Sequence, residues 1–122
     1  MSIQEFIIEL KILGYNAEVL NENRIVFDYS ITEGKFAGQT VKLGLEIPPD
    51  WSLNPPGGLH VLPKILPINP NATGHPERVV ESPNFGPEWE YWSRPYPPGE
   101  WPKSKRTVKD YLRHIRHLFF TQ

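Results

Sequence analysis

At 122 residues the chain has room for one hydrophobic core and not for two, so a single domain over residues 1–122 is expected. The absence of cysteine excludes disulfides, thiolate metal sites and a thiol nucleophile. The net charge of −1 conceals a segregation: residues 1–93 hold six Lys/Arg against twelve Asp/Glu, and residues 94–122 hold seven against two. A basic final section on an acidic body fits an acidic protein partner or nucleic acid, and equally an ordinary solvated helix face. No apolar run approaches the roughly 18–20 residues of a membrane span. The opening MSIQEFIIELKILG carries Glu5 and Glu9 and no basic leader. A cytoplasmic location without a membrane partner is therefore the expectation.

The chain opens with a capping box, Ser2 and Glu5, followed by Ile3, Phe6, Ile7, Leu10 and Leu13 at helical spacing. Gly14 supplies the stop. Tyr15 to Leu20 reads as a short strand, and Asn21 to Asn23 as a turn. Arg24 to Ile31 places Ile25, Phe27, Tyr29 and Ile31 on one face of a second strand. A turn at Thr32 to Lys35 leads into a third, Phe36 to Ile47, with Val41, Leu43, Leu45 and Ile47 facing one way and Lys42 and Glu46 the other. Pro48-Pro49 end it, because neither residue has an N–H for a sheet ladder.

All fourteen prolines fall between Pro48 and Pro102. That density forbids long helices there and permits only broken strands. A fourth strand over His60 to Leu66 is interrupted at Pro63, and Pro67 to Pro102 reads as a long irregular loop. The aromatics Phe85, Trp89, Tyr91, Trp92, Tyr96 and Trp101 favour packing of that loop. From Ser104 the pattern is helical: Val108, Tyr111, Leu112, Ile115, Leu118 and Phe119 form one stripe, and Thr107 with Asp110 forms a cap. The expected fold is α+β: an N-terminal helix, an antiparallel four-stranded meander, a long Pro-rich loop and a C-terminal helix. Within it, 37–48 should be an internal strand and Trp51 should be buried.

The run AGQTVKLGLEIPPDWSLNPP, Ala37 to Pro56, orders a strand, Ile-Pro, one residue, Asp, an aromatic, three residues and Pro-Pro. It resembles the third strand and following flap of ubiquitin-conjugating enzymes. Trp51 stands where that family usually has Tyr, and Ser52 where it has Pro. Asn23 to Gly38 is similar too, as is Trp101 to Val108 leading into a helix. The phrase WEYWSRPYPPGEWP before a basic helix is similar to a bacterial group of these proteins found with ubiquitin-like partners.

The resemblance implies the UBC-like fold, a ubiquitin-like protein and an activating-enzyme-like protein as partners, and no cofactor. The family's cysteine follows His-Pro-Asn and precedes a Trp by eight residues. Eight before Trp101 stands Ser93, and Ser82-Pro83-Asn84 is a degenerate His-Pro-Asn. Ser93 is thus the candidate to carry a ubiquitin-like C-terminus as an oxyester, and Ser82 the second. Asn84 is the candidate oxyanion donor. A serine hydroxyl needs a base, for which His60, His75, Glu88 and Glu90 are available. The alternatives are a serine that merely caps a turn and a non-catalytic scaffold of the same fold. The basic outer face of the last helix, Lys109, Arg113 and Arg116, is expected to meet a protein partner together with the exposed side of the first helix. Nucleic acid is not expected as a partner, although Tyr91-Trp92-Ser93-Arg94 has the aromatic-basic character that stacks on bases. His114 and His117 have a spacing that can chelate metal but no obvious third ligand, and no metal site is expected.

Overall fold

The computed structural model describes residues 2–21, 23–63, 65, 79–82, 85–92, 96–97 and 99–121, with backbone alone for residues 2, 79–82 and 87. The chain forms helix α1 (Ser2–Ile12), strands β1 (Ala17–Val19), β2 (Arg24–Ser30), β3 (Thr40–Glu46), β4 (Leu59–Leu62), β5 (Val79–Ser82) and β6 (Gly86–Trp92), a 3₁₀ turn at Trp101–Lys103 and helix α2 (Val108–Thr121). The six strands among the described residues belong to one sheet of order β1-β2-β3-β4-β6-β5, antiparallel at every pairing.

The α+β class is therefore shown, and the sheet is larger than the sequence predicts. Two further strands arise inside the segment read as irregular loop. Val79-Val80 and the aromatic run Trp89 to Trp92 favour a pleated surface. Pro83 precedes the second strand and Pro87 lies at its start, so neither interrupts the paired stretch from Glu90 to Trp92. The fourth strand ends at Leu62, one residue before Pro63. The third begins at Thr40 and not at Phe36, because Gly34 and Gly38 adopt φ of +84° and +94° in the preceding turn. Gly38 N–H donates to the Ile31 carbonyl at 2.9 Å and Ile31 N–H to the Gln39 carbonyl at 2.8 Å, which closes the hairpin.

One sheet face carries the core. Ile25, Phe27, Tyr29, Val41, Leu43, Leu45, Leu59, Val61 and Trp92 are buried there with residues of both helices. Phe119 of α2 stacks on Tyr29 at 5.6 Å and packs against Trp92 at 5.0 Å. Phe6 of α1 meets Trp51 edge-on at 4.8 Å. The α1 stop is a Schellman motif: Tyr15 N–H reaches the Leu10 carbonyl at 2.9 Å and Gly14 N–H the Lys11 carbonyl at 3.0 Å. Gly14, at φ +99°, takes the left-handed position such a stop requires.

The α2 start is capped twice. Thr107 Oγ1 accepts from Asp110 N–H at 3.3 Å, and Asp110 Oδ2 accepts from Thr107 N–H at 3.2 Å and from its hydroxyl at 2.8 Å. Burial works to raise the Asp110 pKa, but the Thr107 bonds and Arg113 outweigh it and hold the carboxyl below its ordinary value. The next free donor, Val108 N–H, is taken at 2.8 Å by Glu9 Oε2 of α1. Glu9→Ala is expected to cost about 1 kcal/mol in urea unfolding, the usual scale for a lost cap. Retention of full stability would leave that bond without energetic weight.

Candidate functional site

The two segments that carry the resemblance meet in space. After β3 the Pro48–Pro56 loop turns Trp51 inward, where it is 6 % exposed. Trp101, from the 3₁₀ turn before α2, packs against it at 5.6 Å and donates its indole N–H to the Ser52 carbonyl at 3.1 Å. Tyr111 on α2 is wholly buried and donates its hydroxyl to the Gly57 carbonyl at 2.6 Å, fixing the far end of the loop. The loop is thus held by an indole at one end and a phenol at the other. Strand β3 is internal, between β2 and β4, as the sequence predicts.

Ser93, Asn84 and His75 lie outside the described residues. Ser82 is the last residue of β5, and its backbone pairs with Gly86. The sheet register jumps at this point: Glu81 opposes Glu90, and Ser82 opposes Gly86. One step along β5 thus answers to four along β6, an irregularity of the bulge kind. Phe85, the residue after Asn84, lies on the His60 ring at 4.3 Å, and His60 lies against Tyr91 at 4.7 Å. Tyr91 is two residues before Ser93. Phe85 and Tyr91 therefore meet on one histidine.

His60 sits on the sheet face opposite the core, in the cross-strand row Val26, Gly44, His60, Tyr91. Its side chain is 2 % exposed, and Nε2 stands 3.8 Å from Glu46 Oε1. Glu46 is held in turn by Arg24 at 3.3 Å. Burial pushes the imidazole pKa down to about 4, against the opposing pull of Glu46. The ring is neutral at neutral pH, hence able to accept a proton, but a weak base. Glu46 and Arg24 were not singled out by sequence reasoning. The two-residue period of β3 does put Glu46 on the outer face, but only the β3–β4 register puts it beside His60. Glu88 is exposed on β6. Glu90 is completely buried on the inner face, where Oε1 accepts from the Trp92 indole at 2.9 Å and from Ile65 N–H at 3.0 Å. Glu90 is therefore a structural acceptor.

The basic residues of α2 form a second candidate surface. Lys109, Arg113 and Arg116 line one side of a groove of about 310 Å³, with Leu112 on the same helix and Tyr15 and Tyr29 opposite. Arg113 pairs with Asp110 at 3.4 Å and Arg116 with Glu33 at 3.7 Å. Burial, reinforced by Tyr15, raises the Tyr29 pKa to about 12, so its phenol stays a neutral hydrogen-bonding group at any physiological pH. His114 packs on Tyr96 at 5.2 Å and Tyr111 at 5.7 Å. No group of three or more His, Asp or Glu that could hold a metal occurs among the described residues. No helix among them is long and apolar enough to cross a membrane.

No protein-family model matches the chain, and neither does any curated protein or solved structure.

Proposed function

We propose that the chain is a ubiquitin-conjugating-enzyme-like component of a bacterial ubiquitin-like modification pathway. The observation that carries this reading is the Trp51–Trp101 contact. It joins, at 5.6 Å, the two sequence segments on which the resemblance rests, fifty residues apart. In this reading Ser93 takes the place of the missing cysteine. Its hydroxyl oxygen attacks the activated C-terminal carbonyl of the ubiquitin-like protein and expels the carrier's thiol. The hydroxyl proton passes to a nearby base, and Asn84 donates its amide to the oxyanion. The second reading, a non-catalytic scaffold for a ubiquitin-like or activating-enzyme-like partner, is favoured by His60. Its pKa of about 4 makes it a poor base for a serine.

The two readings separate in one experiment. The chain is incubated with the activating-enzyme-like protein, ATP and the ubiquitin-like protein of its own genomic neighbourhood. An oxyester is expected as an adduct that survives reductant and is cleaved by hydroxylamine. Ser93→Ala should abolish it with the fold intact, and Ser82→Ala should leave it. With partners shown to be active, no adduct on the wild type selects the scaffold. A base-stable adduct identifies a lysine isopeptide.

A further inference from the structure

Beside the basic groove lies a second one, of about 260 Å³, whose floor is apolar and whose rim is cationic. Ile12 and Leu13 at the end of α1 supply its apolar lining, Lys105 and Lys109 its cations, and Glu9 and Thr107 complete it. Lys109 lines both grooves. Ile12 is 79 % exposed and Ile8, one turn earlier on the same face, is 59 % exposed, whereas Phe6 and Leu10 are buried. The helix thus turns a second apolar strip outward that the domain's own core does not use. The acids of the region are engaged within the fold: Glu9 on Val108 N–H, Asp110 on Thr107 and Arg113, Glu33 on Arg116. Lys105 and Lys109 form no ion pair among the described residues.

We infer that the two grooves are one docking track for an acidic, apolar-bearing segment of a partner protein. An aliphatic side chain of that segment sits on Ile12 and Leu13. Its carboxylates run past Lys105 and Lys109 to Arg113 and Arg116, with the Tyr15 and Tyr29 rings as the opposite wall. Charge complementarity selects the occupant: Lys105 and Lys109 border the apolar floor, and Arg113 and Arg116, each with one internal carboxylate partner, continue the cationic edge in the adjoining groove. Basic or uniformly apolar segments are disfavoured there. A nucleic acid would meet the cations but has no aliphatic group for the Ile12–Leu13 floor. The inference rests on the α2 face being the partner surface, and it specifies what that face recognises whether or not Ser93 is a nucleophile.

The test uses a short fluorescein-labelled peptide with one Leu flanked by Glu and Asp, titrated by anisotropy against the intact chain. Ile12→Ser should weaken binding about tenfold, the scale of a lost apolar anchor, and leave its salt dependence unchanged. Arg113→Glu with Arg116→Glu should weaken binding by a similar factor and flatten the salt dependence. All three residues are exposed, so unchanged thermal unfolding serves as the folding control. The inference is overturned by failure of the peptide to bind. It is also overturned if the Leu→Ser or all-Gln peptide binds as tightly, or if a single-stranded oligonucleotide displaces the peptide at physiological salt. None of these readouts involves adduct formation, so loss of the transferase reading leaves the peptide result standing.

Discussion

Trp51→Ala is expected to lower the stability of the domain by about 3–5 kcal/mol, the range for deleting a large aromatic from a core. The ring is 6 % exposed and touches Phe6 of α1 and Trp101 of the 3₁₀ turn. Its loss would therefore open a cavity where the first helix, the loop after β3 and the approach to α2 converge. The surrounding backbone has little freedom to collapse into that space, since Trp101 is hydrogen-bonded to Ser52 beside it. Trp51→Phe should recover part of the loss by refilling the apolar volume. Urea unfolding followed by far-UV circular dichroism measures both. A loss below about 1 kcal/mol would place Trp51 outside the cooperative core.

The second large effect is a pH dependence set by His60. Its pKa is lowered from 6.5 to about 4 in the folded chain, with burial as the leading cause. Between those values the unfolded chain binds a proton that the folded chain refuses. Stability should consequently be full above pH 6.5, fall as pH drops through the window, and level off near 4. The total for this group is about 3 kcal/mol. His60→Gln should remove the slope attributable to this group, and an NMR titration of the imidazole should read the midpoint directly. Gly44 controls the same property from the neighbouring strand. A Cβ at Gly44 would lie 2.6–3.0 Å from three atoms of the Phe85 ring, so Gly44→Ala must push that ring off the histidine. The His60 midpoint should then move upward toward 6.5. An unmoved midpoint would show that Phe85 does not keep water from the imidazole.

The parts of the fold that were legible in the sequence are those where one period runs uninterrupted. Ile25, Phe27 and Tyr29, and Val41, Leu43 and Leu45, alternate cleanly, and their strands lie where the alternation puts them. The Thr107–Asp110 box marks the start of α2 and the Val108 to Phe119 stripe its buried face, although the helical pattern read from Ser104 begins four residues before the helix does. The β5–β6 hairpin was hidden for a physical reason. Glu90 faces the core beside Trp92, while the apolar Trp89 and Tyr91 face outward, so the polar-apolar alternation is inverted in this strand. Such a Glu is affordable only because the Trp92 indole and the Ile65 amide bond to it, and no local pattern announces partners that distant. The candidate site was legible only as types and spacings. The register shift at Ser82 and the contact of Phe85 with His60 are properties of strand pairing and not of any motif. The α2 cations were legible as charge, but the Tyr15 and Tyr29 wall opposite them depends on how the helix lies across the sheet.

The bond between Glu9 and Val108 spans 99 positions. A chain leaving the ribosome exposes its first helix long before the amide that completes the cap exists. Until the last helix emerges, Phe6 and Leu10 lack part of their cover, and the sheet's inner face lacks Tyr111, Ile115 and Phe119. Hairpins joined by short turns, such as β2–β3, can form in that interval, but they leave one greasy side open. Cooperative closure must await the emergence of α2, and the entropy of joining such distant segments slows it further. Nascent chains stalled before Val108 should accordingly remain sensitive to protease and engage holding chaperones, whereas chains that have exposed Phe119 should resist digestion.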